Sequence, residues 1–177
     1  MTKKILAFGG SNSSKSINKQ LAKYAASLFK KADVELLDLN DYDMPIYAMD
    51  REKKDGIPQL AHLFYEKIGN ADFIVISFAE HNGAYSTAFK NIFDWMSRIN
   101  GKTFQEKSML LLATSPGARG GSSVLEIANK RFPFQGGIVK GSFSLPSFND
   151  NFDTEKGIIS NEEFNTELLK IVNSIEL

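Results

Sequence analysis

Residues 72–98, DFIVISFAEHNGAYSTAFKNIFDWMSR, decide the fold class of this chain. The apolar run Phe73–Phe78 is typical of a strand that is buried on both faces of a sheet. It leads into the polar turn 80–83, EHNG, after which an amphipathic helix is predicted from residue 86 to residue 99. Open α/β sheets form ligand sites in this way, with a buried strand delivering a polar turn to the start of a helix.

The rest of the chain repeats this alternation of strand and helix. Further strands are predicted at 5–8, 34–37, 109–113 and 138–143, and further helices at 17–28, at 60–68, after residue 122 and after residue 160. Five strands alternating with five helices predict a parallel sheet covered on both faces, a three-layer α/β/α fold. We expect the flavodoxin-like strand order 2-1-3-4-5, because the loops richest in small polar residues follow strands 1, 3 and 4.

The predicted helix starts carry capping signals. Ser122 or Ser123 is predicted to cap the fourth helix, with Glu126 completing a capping box. Ser160 and Glu163 form the same pattern before the last helix. No repeat, low-complexity segment or linker interrupts the chain, so we expect a single domain spanning residues 1–177.

Composition and charge exclude several classes of protein. The 177 residues are 42% hydrophobic and 24% charged, which is ordinary for a globular domain. Lysine plus arginine equals aspartate plus glutamate at 21 each, which removes the electrostatic reason to expect nucleic-acid or membrane binding. With no cysteine and only two histidines, no metal site is predicted. The apolar run at the N-terminus is too short for a signal peptide, so we expect a cytoplasmic protein.

The first polar loop, residues 9–18 (GGSNSSKSIN), has the composition of an anion site. It places hydroxyl groups and backbone N–H groups at the start of a helix, where the helix dipole favours negative charge. Neither a dinucleotide-binding fingerprint nor a Walker A motif is present, so a phosphate monoester fits better than a triphosphate with Mg²⁺. A serine-rich helix cap without a ligand is the alternative for this loop alone.

Two further loops are predicted to lie beside the first. Residues 80–83 combine a glycine, suited to an unusual backbone angle, with three hydrogen-bonding side chains that can meet a flat heteroaromatic group. Residues 115–121 (SPGARGG) contain three glycines, which allow close backbone approach. A surface turn and a flexible connection are the alternatives for these loops taken singly. Neither metal binding by His81 nor a catalytic pair of Glu80 with His81 is predicted, because no further ligand or nucleophile accompanies them.

These motifs resemble those of the NADPH-dependent FMN reductase family, flavodoxin-fold proteins that include quinone, azo-dye and chromate reductases. Residues 10–18 are similar to the family's phosphate loop, G-S-x-R-x-x-S-x-N, with Ser13 in place of the arginine. Residues 79–95 are similar to its block P-E-Y-N-G-S-x-P-x-x-L-K-N-x-x-D-W, with Ala79 and Ser86 in place of the prolines. Residues 115–121 match the turn S-P-G-x-x-G-G, and the similarity runs from Lys4 to about Arg131.

The resemblance implies FMN as the bound cofactor and NADPH or NADH as the electron donor. It places the FMN phosphate at Ser11, Ser16, Ile17 and Asn18. It places the isoalloxazine ring against four residues of the second loop and beside two of the third: Glu80, His81, Asn82, Gly83, Ser115 and Gly117. Lys15 can supply a point charge in place of the family's arginine.

The activity that the resemblance implies is that of an oxidoreductase working by a ping-pong cycle. NAD(P)H gives hydride to N5 of the flavin and leaves, and a small acceptor such as a flavin, a quinone, an azo compound or a metal ion then takes its place. No catalytic side chain is predicted, because the cofactor carries the chemistry. The alternatives are a flavodoxin-type electron-transfer or non-catalytic flavin-binding module, which the balanced charge disfavours, and a protein of this fold that has lost flavin.

The helix predicted at 86–99 also bears on assembly. Its apolar stripe is wider than a single core face requires. The residues concerned are Phe89, Ile92, Phe93 and Met96, with Ala88, Trp95 and Ile99 beside them. Burial of this helix inside one chain is one explanation. The resemblance favours a homodimer, or a dimer of dimers, built on this helix, with the 40–58 loop near the flavin site of the partner.

Overall fold

The computed structural model describes residues 2–177, and its central feature is a five-stranded parallel sheet. In chain order the strands are β1 (Lys3–Gly10), β2 (Ala32–Leu37), β3 (Phe73–Phe78), β4 (Glu80–His81), β5 (Ala84–Tyr85), β6 (Lys107–Thr114), β7 (Gly137–Leu145), β8 (Phe152–Asp153) and β9 (Ile158–Ile159). The sheet has the order β2-β1-β3-β6-β7, which confirms the predicted flavodoxin-like order of the five long strands. The short strands form two antiparallel hairpins, β4–β5 and β8–β9.

The helices cover both faces of this sheet. They are α1 (Ile17–Ser27), α2 (Met49–Asp55), α3 (Gln59–Asn70), α4 (Thr87–Ile99), α5 (Ser122–Arg131), α6 (Phe148–Asn151) and α7 (Glu162–Asn173), with short 3-10 helices at Leu39–Tyr42 and Phe132–Gln135. Buried residues of α3, α4 and α5 share one core with Leu6 and Phe8 of β1. Buried residues of α1 and α7 share the other core with Ile5 and Ala7. The alternation along β1 therefore separates two apolar layers, as expected for a strand covered on both sides.

Two of the predicted helix caps are wrong. The residue before α5 is Gly121 in a left-handed conformation, so neither Ser122 nor Ser123 is its cap. Helix α7 is capped by Asn161, whose side chain accepts hydrogen bonds from the second and third N–H groups of the helix, and not by Ser160. Several small polar residues can cap a helix, so a sequence with two of them in succession does not fix the boundary.

The helix after the 80–83 turn is capped by Ser86, which stands where the family pattern has a proline. The Ser86 Oγ accepts a hydrogen bond from the Phe89 N–H at 3.2 Å and donates one to the Gly10 carbonyl oxygen at 2.7 Å. Ser86 thus starts α4 and also ties it to the end of β1. The course of the backbone into α4 is fixed without the proline that the family carries at this position.

The apolar stripe of α4 is buried inside its own chain. Its large members Phe89, Ile92, Phe93, Trp95 and Met96 are all at most 6% exposed. Phe93 lies between Phe104 and Phe132, with ring centroids 5.7 and 5.6 Å away, and Trp95 meets the ring of Tyr47 edge-on at 5.0 Å. Packing within one chain accounts for the width of the stripe. The homodimer stays a prediction, and this stripe no longer supports it.

Candidate active site

The carboxyl ends of β1, β3 and β6 meet at a cleft of about 250 Å³. Its lining comes from all three predicted loops: Ser11, Ser13, Lys15, Ser16, Ile17, Asn18, Ala79, Glu80, His81, Thr114, Ser115 and Pro116. Seven of the ten predicted binding residues are in this set, and the other three, Asn82, Gly83 and Gly117, lie in the same loops but outside the lining. Five lining residues are not among the ten predicted: Ser13, Lys15, Ala79, Thr114 and Pro116. Ala79 and Thr114 lie where β3 and β6 end, and that position next to a buried strand is the signal that could have found them.

Gly9 sets the distance between β1 and the start of α1. A Cβ atom added at Gly9 would lie 2.4 Å from the backbone nitrogen of Lys19 and 2.8 Å from its Cα. No real side chain fits at such distances, so the first turn of α1 packs directly on the end of β1 only because this residue is glycine. The N-terminus of α1 is thereby placed at the cleft.

Short-range hydrogen bonds shape the first loop. The Ser11 Oγ accepts from the Ser13 N–H at 3.1 Å, and the Ser13 Oγ accepts from the Lys15 N–H at 3.3 Å. The Ser16 Oγ caps α1 by accepting from the Lys19 N–H at 3.1 Å. Each of these hydroxyl oxygens acts as an acceptor, so each O–H remains able to donate to an anion in the cleft.

The backbone adds further donors to the first loop. Ile17 and Asn18 are the first two residues of α1, and their N–H groups have no acceptor within the helix. Lys15 is exposed and lines the same cleft, where its ammonium group adds a positive charge. Hydroxyls, free amides, a helix N-terminus and one lysine together suit a singly substituted phosphate group.

The side chain of Asn18 has a structural use. Its Oδ1 accepts hydrogen bonds from the Thr114 N–H at 3.1 Å and the Ser77 hydroxyl at 2.7 Å, and its Nδ2 donates to the Thr114 carbonyl at 3.1 Å. Asn18 is 2% exposed, and these bonds tie α1 to the ends of β3 and β6. What Asn18 offers to a ligand is its backbone N–H rather than its amide group.

The second loop is a tight hairpin. Asn82 and Gly83 form its turn with φ values of +53° and +78°, as in the type I′ turns that Asn-Gly favours. The unusual backbone angle predicted at the glycine is therefore present. Asn82 and Gly83 occupy the tip, whereas His81 is exposed at the cleft itself. The Asn-Gly pair was a hairpin signal in the sequence, beyond the polar turn that we predicted.

The carboxylate of Glu80 turns from the hairpin towards α5. Its Oε2 accepts a hydrogen bond from the Val124 N–H at 3.1 Å, and its Oε1 lies 3.9 Å from Nη2 of Arg119. The side chain is only 11% exposed. Glu80 thus satisfies an N–H group in the first turn of α5, where Gly121 has no side chain to do so. No local sequence pattern indicates this contact, because its partners lie 44 residues apart.

The third loop is ordered mainly through one carbonyl group. The Gly117 oxygen accepts hydrogen bonds from the Ser115 hydroxyl at 3.2 Å, from the Gly120 N–H at 3.1 Å and from the Ser147 N–H at 3.0 Å. Gly117 therefore shapes the loop from outside the cleft lining, and Ser115 is the predicted residue of this loop that lines it.

Two titratable groups near these loops each keep one protonation state at neutral pH. The Tyr85 hydroxyl is buried without a hydrogen-bond partner against Phe78 and Phe89, and burial raises the pKa of this phenol well above its usual range. A hydrogen bond of 2.5 Å from the Lys19 ammonium lowers the pKa of Asp38. Tyr85 thus stays neutral and Asp38 ionised at neutral pH, and neither residue is part of the cleft lining.

His81 also borders a second groove of about 210 Å³. This groove lies between the start of α4 and the segment 43–46, and its lining is Asn12, Asp43, Met44, Ile46, His81, Ser86, Thr87, Ala88 and Asn91. A larger cavity, of about 440 Å³, lies towards the amino ends of β1 and β2, beside Lys4 and Asp33. Its Lys67 and Glu35 pair with one another at 2.5 Å, and none of the three loops reaches it.

The sequence profile of NADPH-dependent FMN reductases matches residues 3–150. The chain belongs to this family. As a member it is an oxidoreductase with FMN and NAD(P)H as its cofactors. Within residues 2–177, no cluster of three metal-ligating side chains occurs, and no helix is both long and apolar enough to cross a membrane.

Similar proteins support the family and the fold. An uncharacterized protein of Mycoplasma pneumoniae is 34% identical over 147 residues, which cover 80% of this chain and 86% of that protein. A quinone reductase of Escherichia coli K12 is 32% identical over 80 residues, which cover 45% of this chain and 43% of that enzyme. FerB from Paracoccus denitrificans, a flavoenzyme NAD(P)H:(acceptor) oxidoreductase, has the same fold with a TM-score of 0.76 at 22% identity, covering 97% of this chain and 94% of that one.

Proposed function

We propose that this chain holds FMN in the cleft at the ends of β1, β3 and β6 and uses NAD(P)H to reduce a small acceptor. The observation that carries the proposal is the meeting of three loops at this cleft. The first loop supplies uncharged hydrogen-bond donors for a phosphate group at a helix N-terminus. The second and third loops form two walls around a space suited to a flat ring.

In this proposal the first loop holds the phosphate group. The hydroxyls of Ser11 and Ser16 and the N–H groups of Ile17 and Asn18 donate hydrogen bonds to it, while Lys15 adds a point charge. The ring lies between His81 and Ser115, on the walls formed by the second and third loops. Asn82, Gly83, Gly117 and Glu80 contribute by shaping those loops.

When bound, FMN would supply the redox chemistry: it would take two electrons from NAD(P)H as hydride and pass the electrons on to the second substrate in a ping-pong cycle. The protein binds and orients both partners, and no side chain is assigned as a proton donor or nucleophile. The acceptor is a quinone, a flavin, an azo compound or a metal ion, and the groove beyond His81 is the place proposed for it.

The first experiment is a titration of the purified protein with FMN. We expect flavin fluorescence to change to saturation and the melting temperature to rise, because a ligand that binds the folded state stabilises it. A saturating concentration of FMN that leaves both quantities unchanged would refute the assignment. Initial rates with NADPH and a quinone should then give parallel double-reciprocal plots, and intersecting plots would exclude the ping-pong order.

The same assay separates the enzyme from its alternatives. A flavodoxin-type module binds FMN but does not sustain NAD(P)H oxidation with a quinone, and a protein of this fold that has lost flavin does neither. The homodimer, the cytoplasmic location and the single domain of residues 1–177 are parts of the proposal that rest on the sequence. A light-scattering mass equal to one chain would contradict the dimer.

A further inference from the structure

Glu80 stands out because its carboxylate is nearly buried in the wall of the cleft and yet points away from the hairpin that carries it. Its Oε2 accepts from the Val124 N–H at 3.1 Å, and its side chain is 11% exposed. A carboxylate in such a position is normally paired with a cation at close range. Here the nearest cation is Arg119, which lies 3.9 Å away and is itself 79% exposed.

The N-cap residue of α5 makes no side-chain hydrogen bond, and this explains the orientation of the Glu80 carboxylate. Val124 is the third residue of α5, and its N–H is the group that an N-cap side chain ordinarily binds. The N-cap residue Gly121 has no side chain, and a Cβ atom there would lie 3.0 Å from the Cβ of Ala113. The helix start is therefore pressed against β6, and Glu80 supplies the cap from another part of the chain. The positive end of the helix dipole stabilises the negative charge.

This contact joins the two loops that form the walls of the proposed ring site. Glu80 belongs to the hairpin that carries His81, and Val124 belongs to the helix that follows the 115–121 loop. One charged hydrogen bond, from the Val124 N–H to Glu80, thus links the elements that carry the two walls. Glu80 is one of the residues that line the cleft, so its negative charge belongs to the wall of the proposed ring site.

We infer that Glu80 is a positioning residue that caps α5, fixes the spacing of the two walls of the ring site and lowers the reduction potential of the bound flavin. The last two of these effects rest on the proposed function. Two-electron reduction makes a flavin more electron-rich, and a fixed negative charge nearby disfavours that change. Glu80 itself transfers neither a proton nor an electron in this role.

Two substitutions separate the hydrogen bond from the charge. Glu80→Ala removes both, whereas Glu80→Gln keeps an oxygen acceptor for the Val124 N–H and removes only the charge. Glu126→Gln is the matched control, because Glu126 lies on the same helix but its side chain is 66% exposed and is paired with Lys130. Neither residue of that control pair lines the cleft.

Hydrogen exchange of the Val124 amide, measured on the protein without flavin, tests the cap. We expect exchange about tenfold faster in Glu80→Ala, in keeping with the loss of an N-cap, and near the parent rate in Glu80→Gln and Glu126→Gln. Equal exchange in Glu80→Ala and the parent would overturn the capping role. This measurement needs no cofactor, so it reports on Glu80 even if the parent protein fails to bind FMN and the proposed function falls.

FMN binding and the flavin midpoint potential test the other two effects. We expect Glu80→Ala to weaken FMN binding about tenfold and Glu80→Gln to restore most of it. In Glu80→Gln the ratio of reduced to oxidised flavin at a given potential should rise about tenfold, which is about 30 mV for a two-electron couple. If the midpoint potentials of Glu80→Gln and Glu126→Gln are the same, the charge has no such effect. If Glu80→Ala binds FMN as tightly as the parent, the spacing role is refuted.

Discussion

The two sides of the cleft are built by different kinds of contact. On the phosphate side, the hydroxyls of Ser11, Ser13 and Ser16 bind backbone N–H groups two or three residues further along the chain. On the ring side, Glu80 reaches a backbone N–H group 44 residues away. The first loop is thus shaped by hydrogen bonds within its own sequence, whereas the contact between the two walls of the ring side forms only once the sheet has brought distant segments together.

This difference predicts how each side responds to change. A loop held by local bonds keeps its shape when one hydroxyl is lost, so a substitution there should affect mainly the ligand atoms nearest to it. A wall held across the fold should respond as a unit. The phosphate side nevertheless depends on two non-local features, the close approach at Gly9 and the clamp formed by Asn18, and the largest effects are expected there.

Gly9→Ala should have the largest effect. The new Cβ atom would lie 2.4 Å from the Lys19 nitrogen, so α1 or β1 must move, and the free energy of unfolding should fall by about 3 kcal/mol. Urea denaturation measures this change. Gly101→Ala is the control, since a Cβ atom there has nothing within 4 Å, and it should change the stability by less than about 0.5 kcal/mol. Equal effects would refute the close approach of strand and helix.

Asn18→Ala should have the next largest effect. It leaves both backbone polar groups of Thr114 and the Ser77 hydroxyl without the bonds that Asn18 makes, and we expect a loss of about 2–3 kcal/mol in the free energy of unfolding. Asn149→Ala, at an exposed position, is the control and should be nearly neutral. If Asn18→Ala weakened FMN binding without lowering stability, the amide would be a ligand rather than a clamp.

Ser16→Ala and Gly83→Ala test the two sides directly. Ser16→Ala should weaken FMN binding about tenfold, because it removes a hydrogen-bond donor to the phosphate and the cap of α1. The binding of riboflavin, which lacks the phosphate, should stay nearly unchanged.

Gly83→Ala strains a turn residue at φ +78° and should weaken the binding of FMN and the binding of riboflavin by the same factor. Fluorescence titrations measure both. Parallel losses for FMN and riboflavin in Ser16→Ala would contradict the division into a phosphate side and a ring side.

Asp38→Asn should have the smallest effect, and the effect should depend on pH. The hydrogen bond from Lys19 lowers the pKa of Asp38 in the folded state, so the ionised group stabilises the protein above its usual pKa near 3.8, and this contribution is lost as the pH falls through the lowered value. We expect a loss of up to about 1 kcal/mol at pH 7 that disappears in strong acid, measured by urea denaturation at several pH values. A loss of the same size at every pH would exclude the ion pair as its cause.

The outcome of the site prediction follows the same division. Ser11, Ser16 and Ile17 were predicted together from the resemblance of residues 10–18 to the family's phosphate loop, a pattern within nine residues, and they do line one cleft. The cap of α5 was predicted wrongly because its donor meets a carboxylate from another loop rather than a neighbouring serine. Periodicity showed the apolar stripe of α4, but it could not show that Phe104 and Phe132 cover it.

The sequence by itself determined the alternation of strands and helices, the order of the sheet, the family and the composition of the three loops. These follow from patterns within a few residues or within one element, which the chain carries whether or not it is folded. Only the tertiary structure decided that the amide of Asn18 clamps β3 and β6, that Glu80 caps α5, and that α4 is covered by its own chain. Each of these contacts joins residues far apart in sequence, and which partner a polar or apolar group meets depends on distances that exist only after the sheet has formed.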